Sequence, residues 1–232
     1  MTLGEPRRLA RVAPQVSLFW CDLALAPADA EPVAATLSAE ERARAARFGT
    51  DALRARWIAG RALLRRILGS ALALAPADVP LARGARGRPA LKDFDRELDF
   101  NVSHTGGVAL IALLRTEGRP VRIGVDVERK DRPLGSDRLA RKFLTSAEQA
   151  SIAPAAPDAR RLRFLRYWTC KEAMSKATGD GLLAPFRQID IGFDPAPRLI
   201  DGPAPYQPPA WTLLAAPVPD DHFATVALWD RA

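Results

Sequence analysis

LSAEE, at Leu37 to Glu41, and LTSAE, at Leu144 to Glu148, are two versions of one phrase. In each, a hydroxyl residue (Ser38, Thr145) is followed three positions later by a glutamate (Glu41, Glu148). That is the reciprocal capping box which opens a helix. An apolar strand stands upstream of each phrase, at Val16 to Leu23 and at Val121 to Val127. A longer helix stands downstream. The first is expected from about Thr50 to Leu68, burying Leu53, Trp57, Leu64 and Leu68 and ending at Gly69; the second runs from about Leu162 to Thr178. Each half then closes in a pair of strands. LDFNVSHT and VALIALL form a hairpin through Gly106 and Gly107, and the later pair lies near Trp211 to Leu214 and Phe223 to Trp229. Four elements in matching order predict an α+β fold: a pseudo-dimer of two similar α/β subdomains related by a pseudo-twofold axis. The subdomains are expected at residues 1–118 and 119–232, joined near Glu117 to Pro120, with the active site in the cleft between them.

Composition narrows the function. The 232 residues are 48% hydrophobic, enough to fill the cores of two compact units. The net charge of +7 raises the possibility of a polyanionic partner. Of the 34 basic residues only five are Lys, and Arg42, Arg44, Arg47, Arg54, Arg56, Arg61, Arg65 and Arg66 concentrate in one helical region. Aromatic residues are scarce at 7% and no nucleic-acid recognition motif appears, so a basic nucleic-acid-binding module is the weaker alternative. Cys21 and Cys170, on a strand and a helix, are expected to be reduced packing residues. Arg7, Arg8 and Arg11 are followed by Pro14 and Gln15 rather than a secretory apolar run, and no segment has the length of a membrane span. A cytoplasmic monomer is expected.

The candidate chemistry lies in the second half. Side chains two apart on a strand share a face, so Asp126 and Glu128 are predicted side by side on IGVDVE. Two adjacent carboxylates repel, and a divalent cation is the usual remedy. In WTCKEAMSK, Trp168, Glu172 and Lys176 are spaced four apart and fall on one helical stripe, which brings Glu172 towards the same ion. Oxygen ligands from Asp126, Glu128 and Glu172 suit Mg²⁺ or Mn²⁺. Only two histidines, His104 and His222, are present, which excludes zinc sites of the histidine and cysteine kind. There is no phosphate-binding P-loop and no dinucleotide fingerprint. Ser103 and His104, beside Gly106 and Gly107, form a polar strand end able to bind phosphate, and the basic loop at Arg83 to Pro89 is suited to the same class of ligand.

The succession Gly87-Arg88-Pro89, FNVSHT at Phe100 to Thr105, IGVDVE at Ile123 to Glu128 and FLRYWTCKEAMSKATGDGL at Phe164 to Leu182 closely resembles the phosphopantetheinyl transferases of the surfactin-synthetase-activating (Sfp) type. Trp168, Lys171, Glu172 and Ala173 resemble the W/KEA subgroup. The resemblance spans nearly the whole chain. It implies transfer of the phosphopantetheine arm of coenzyme A to a serine of an acyl or peptidyl carrier protein, with release of adenosine 3',5'-bisphosphate. By the same resemblance Asp126, Glu128 and Glu172 hold Mg²⁺, Glu172 accepts the serine proton, Lys176 stabilises the departing phosphate and Lys171 adds charge nearby. Arg88, Ser103 and His104 are implied to meet the coenzyme's phosphates, and Arg44 and Arg56 its 3'-phosphate. Two positions depart from the family. Arg88 stands where Lys is usual, and Glu41 stands where some relatives carry a base. A non-catalytic binder of coenzyme A is the remaining alternative, opposed by retention of all three carboxylates and Lys176.

Overall fold

The structure, a computed structural model, describes residues 3–84, 86–94 and 96–232; Ala85, within the predicted basic loop, lies outside them. The chain runs through β1 (Arg7–Arg8), β2 (Val16–Asp22), α1 (Ala30–Ala34), α2 (Ala39–Ala45), α3 (Asp51–Leu72), β3 (Leu81–Arg83), β4 (Pro89–Leu91), β5 (Leu98–Thr105) and β6 (Val108–Arg115). It continues through β7 (Val121–Arg129), α4 (Ser136–Phe143), α5 (Ser146–Ile152), α6 (Pro157–Thr178), β8 (Asp190–Phe193), β9 (Pro197–Asp201), β10 (Trp211–Ala215) and β11 (His222–Asp230). The fold is mixed α/β. One antiparallel sheet has the order β1-β2-β6-β5 and another the order β10-β11-β7, while β3-β4 and β8-β9 are separate two-stranded ribbons. None of the described helices is long and apolar enough to cross a membrane.

The strand period decides what each face meets. On β6, Ala109, Ile111 and Leu113 pack with Ala59, Leu63 and Leu68 of α3. The alternate residues Leu110, Ala112 and Leu114 pack with Ile123, Val125 and Val127 of β7 and with Val226 and Leu228 of β11. β6 is therefore buried on both faces, which explains its unbroken apolar run. The apolar face of β7 serves this shared core, leaving Gly124, Asp126 and Glu128 to face α6. At Gly124 the approach of α6 is extreme: a Cβ there would lie 1.9 Å from the Ala173 carbonyl oxygen and 2.7 Å from the Ala177 nitrogen. Gly124→Ala must therefore push α6 off the sheet. It is expected to lower stability by about 3 kcal/mol or more, measured by urea unfolding; a loss below about 0.5 kcal/mol, the scale of an innocuous surface change, would show that α6 is not seated there.

The two larger sheets also meet edge to edge. Asp99 Oδ2, Asn101 Oδ1 and Ser103 Oγ, alternate residues of β5, accept hydrogen bonds from the backbone N–H groups of Ile123, Val125 and Val127 at 2.8, 3.1 and 3.3 Å. Side chains of one strand thus satisfy the backbone of another running parallel to it.

Both capping boxes form, with Ser38 N–H donating to Glu41 at 2.9 Å and Thr145 N–H to Glu148 at 2.8 Å. Each capping glutamate is also the buried partner of a base on the next long helix. Glu41 meets Arg65 at 2.6 Å and Arg61 at 2.8 Å, and Glu148 meets Lys171 at 2.6 Å.

Several expectations need correction. α3 does not stop at Gly69 but runs on to Leu72, capped by Ala73 in the left-handed region at φ 56°. Gly69 serves close packing instead, since a Cβ there would stand 2.7 Å from the carbonyl oxygen of Leu74 as the chain doubles back. Leu64 and Leu68 are buried as expected, but Trp57 is only half-buried and Leu53 is 49% exposed, because the first turns of α3 line a cleft; Ala55, Ile58, Ala59, Ala62 and Leu63 complete the buried face. α6 starts at Pro157 rather than Leu162, as proline suits the first helical position. Helix α4 and the β8-β9 ribbon were not expected. Both cysteines are free and buried, as predicted, with their thiol pKa values pushed up to about 12, chiefly by burial.

Candidate active site

Asp126 and Glu128 on β7 and Glu172 and Lys176 on α6 come together where the helix crosses the strand. Lys176 Nζ donates to Asp126 Oδ1 at 2.6 Å and to Ser103 Oγ at 2.8 Å, and Ser103 Oγ donates to Asp126 Oδ1 at 2.8 Å. With the Val127 N–H as well, the Ser103 hydroxyl uses its one donor and both acceptor sites. Lys176 keeps its third N–H, and its side chain is 26% exposed towards solvent. Glu128 is clasped by Arg132 and accepts a hydrogen bond from Trp168. Trp168 is anchored for that task against Phe143 and Phe164, with ring centroids 4.7 and 6.1 Å away.

The acids are held in tension. Burial and then the Asp126 charge push the Glu172 pKa up to about 7, with Lys176 opposing and Glu128 adding to the rise. Burial and the Asp126 charge also raise Glu128. Asp126 Oδ2 and Glu172 Oε1 are buried without a hydrogen-bond partner. Among the described residues no group of three His, Cys or acidic side chains stands ready to hold a metal; Lys176 lies against Asp126 and Arg132 against Glu128. The two orphaned oxygens nevertheless fit a hard, oxygen-loving cation in chemistry and in sign.

Beside this cluster lies a cleft of about 600 Å³ lined by Arg44, Arg56, Arg61, Arg83, His104 and the turn glycines Gly106 and Gly107. Trp57 forms part of its wall, with the Arg44 and Arg61 guanidinium carbons 5.8 and 5.9 Å from its ring centroid. Gly60 leaves room for the His104 ring, whose Nε2 would lie 3.5 Å from a Cβ at that position. The cleft walls desolvate His104 although its edge stays open to water; with the charges of Lys176 and Arg61 they lower its pKa to about 4, so the imidazole is neutral near pH 7. Ser103 and His104 are adjacent on β5 and point to opposite faces. One strand end thus serves both the carboxylate cluster and the basic cleft. A larger groove of about 740 Å³, lined in part by Arg8, Arg11, Arg66 and Arg115, touches none of these residues.

Of the expected site residues, the structure gathers Asp126, Glu128, Glu172, Lys176 and Ser103 in one cluster and Arg44, Arg56 and His104 in the adjoining cleft. Two fall elsewhere. Lys171 is fully buried, and its ammonium donates to Glu148 and to the carbonyls of Phe143 and Phe186 at 3.1 and 2.7 Å. It has no N–H left for a coenzyme. Arg88 is spent on Asp99 and on backbone carbonyls, described below. Arg61 and Arg132 were not singled out for the site. Arg61 stands four residues after Trp57, the spacing of Trp168 to Glu172, and that was the signal available for it.

The sequence pattern of the 4'-phosphopantetheinyl transferase superfamily matches residues 122–226, and that of the 4'-phosphopantetheinyl transferase N-terminal region matches residues 26–115. The 4'-phosphopantetheinyl transferase HetI of Nostoc sp. is 38% identical over 230 residues, covering 97% of this chain and 92% of that protein. A phosphopantetheinyl transferase of Thraustochytrium sp. is 30% identical over 217 residues, covering 85% and 72%. A 4'-phosphopantetheinyl transferase of Bacillus subtilis is 27% identical over 172 residues, covering 74% and 73%. The chain belongs to the 4'-phosphopantetheinyl transferase superfamily.

Proposed function

We propose that the protein transfers the 4'-phosphopantetheine arm of coenzyme A to a serine of an acyl or peptidyl carrier protein, in a Mg²⁺-dependent reaction that releases adenosine 3',5'-bisphosphate. The observation that carries it is the junction at the end of β5, where a cleft of arginines and a neutral histidine adjoins three carboxylates and a lysine. Neither alternative, a nucleic-acid binder or a non-catalytic coenzyme A binder, is favoured by the relatives. The two halves are proposed as pseudo-symmetric subdomains divided at Glu117–Pro120. Paired capping boxes, paired glutamate-base contacts and sequence matches that end at 115 and resume at 122 support this.

In the proposed reaction the carrier's serine oxygen bonds to the β-phosphorus of coenzyme A while the bond from that phosphorus to the bridging oxygen breaks. Glu172, with one carboxylate oxygen buried and unpartnered, takes the serine proton, directly or through water. Lys176, with an N–H to spare, stabilises the charge developing on the departing phosphate. Mg²⁺, or Mn²⁺, held by Asp126, Glu128 and Glu172, supplies neutralising charge to the pyrophosphate. Arg44, Arg56 and His104 receive the coenzyme's outer phosphates, Arg44 and Arg56 taking the 3'-phosphate.

Incubation with coenzyme A, Mg²⁺ and a panel of unmodified carrier proteins, followed by intact mass, tests this. A gain equal to the phosphopantetheine arm, abolished by EDTA, is expected; no gain on any carrier rejects the reaction. Arg44→Ala and Arg56→Ala are each expected to raise the KM for coenzyme A about tenfold, the value of one charge-assisted contact, while leaving 3'-dephospho-coenzyme A unaffected. An equal loss for both substrates would remove the 3'-phosphate assignment. His104→Ala is expected to weaken coenzyme A binding before carrier binding.

A further inference from the structure

Arg88 makes more hydrogen bonds than any other side chain at the junction of the halves. Its Nη1 and Nη2 pair with Asp99 Oδ1 and Oδ2 at 3.0 and 2.8 Å, a bidentate fork. Nη2 also donates to the carbonyls of Phe100 and Ile123 at 3.1 and 2.7 Å, Nη1 reaches the Pro89 carbonyl at 3.5 Å, and Nε donates to the Lys176 carbonyl at 2.9 Å. All five N–H groups of the guanidinium therefore have an acceptor. The acceptors belong to β4, β5, β7 and α6, so one side chain joins elements from both halves.

Two of those contacts bear on the reacting groups. The Lys176 carbonyl lies in the last turn of α6, where carbonyls lack intrahelical partners, and the Gly179 N–H that follows is taken by Ser175. Arg88 fills that place directly beneath the residue whose ammonium stands 2.6 Å from Asp126. Asp99, in turn, is the first rung of the side-chain ladder from β5 to β7, and Ser103, its last rung, touches both Asp126 and Lys176. A change at Arg88 is thus felt at both ends of the Lys176–Asp126–Ser103 triangle.

Turning Arg88 towards a phosphate would strip Asp99, whose side chain is 5% exposed, of its bidentate partner, leaving it only the Ile123 N–H and a longer contact to Arg122 at 3.6 Å. It would also leave the Lys176 and Ile123 carbonyls without a partner. A buried charge that loses its partner costs more than an exposed phosphate contact returns. We infer that Arg88 is a positioning residue, which locks the end of α6 onto β5 and β7 and so sets Lys176 against Asp126, and that it is not a ligand for the coenzyme's phosphates. Lysine at this position supplies a point charge with three donors, too few to pair both Asp99 oxygens and reach the carbonyls. Arginine and lysine are therefore not equivalent in this chain.

Resting as it does on the proposed transfer reaction, this role is tested by arms that read binding and turnover separately. Arg88→Lys and Arg88→Ala are compared with the unaltered protein for calorimetric affinity towards coenzyme A and 3'-dephospho-coenzyme A, for kcat and KM in carrier modification, and for melting temperature. Arg88→Lys is expected to keep coenzyme A affinity within about twofold and the ratio of the two affinities unchanged. Its kcat at saturating coenzyme A, measured well below the melting temperature, is expected to fall about tenfold or more. An unchanged kcat in Arg88→Lys overturns the inference. So does a loss of affinity in Arg88→Ala that is confined to coenzyme A and absent for its 3'-dephospho form, or one that is equal for both and accompanied by unchanged kcat. Should the unaltered protein modify no carrier, the transfer reading fails on its own. The affinity arm then still decides, since unchanged binding by Arg88→Ala supports the positioning role and weakened binding overturns it.

Discussion

Asp126→Ala is expected to lower carrier modification at least about a thousandfold, the upper range for removing one electrostatic group from a reacting centre, while the protein stays folded. Asp126 joins the two sides of the chemistry. Its Oδ1 fixes Lys176 and Ser103, and its Oδ2 is buried and unpartnered, aimed where Glu172 feels its charge. Without it, Lys176 loses the anion that positions it and the proposed cation-binding set loses a member. The fold should tolerate the change, because Lys176 is partly exposed and free to take water, and Ser103 keeps the Val127 N–H. A stability loss under about 2 kcal/mol is expected, the scale of one charged hydrogen bond. Asp126→Asn keeps the shape and removes the charge, so it should be as inactive as alanine. Normal Mg²⁺-dependent transfer by the asparagine variant would remove the metal and positioning roles together.

Lys171→Ala is expected to act in the opposite way, costing stability before chemistry. The Lys171 side chain is 0% exposed and that of its partner Glu148 is 1%. Burial pushes the Lys171 pKa down and the Glu148 pKa up, each resisted by the charge of the other. Removing the lysine leaves a buried carboxylate without its counter-charge, a loss of about 3–5 kcal/mol. The double variant Lys171→Met, Glu148→Gln should recover part of it, because it leaves no unpaired buried charge; glutamine's single oxygen can accept only one of the two N–H groups, Thr145 or Ile191, that Glu148 holds on separate oxygens. Urea unfolding of the unaltered protein and the two variants measures these differences. If Lys171→Ala instead weakened coenzyme A binding at undiminished stability, the coenzyme-binding role implied by family resemblance would be restored.

Local periodicity carried much of the fold and the heart of the site. Capping boxes lie within four residues, the Asp126–Glu128 pair follows from strand alternation, and Glu172 and Lys176 follow from one helical turn. What failed needed knowledge of a partner distant in sequence. Nothing near Ser103 in the sequence reveals that its hydroxyl is shared among Val127, Asp126 and Lys176. Arg88 looked like a free base in a glycine-rich loop, since its acceptors lie up to 88 residues away. Lys171 carries a nearer signal for its buried place. It lies three residues from Met174 and seven from Phe164, both buried, a helical spacing that assigns it to the core face.

The seam between β5 and β7 has one more consequence. In an ordinary sheet the bonds between strands belong to the backbone, so a change of side chain, proline apart, leaves them in place. Here the three acceptors are an aspartate, an asparagine and a serine. The join is therefore spelled in side chains, and descent with modification can loosen or tighten it one rung at a time, retuning how the arginine-rich half meets the acidic half without redrawing either.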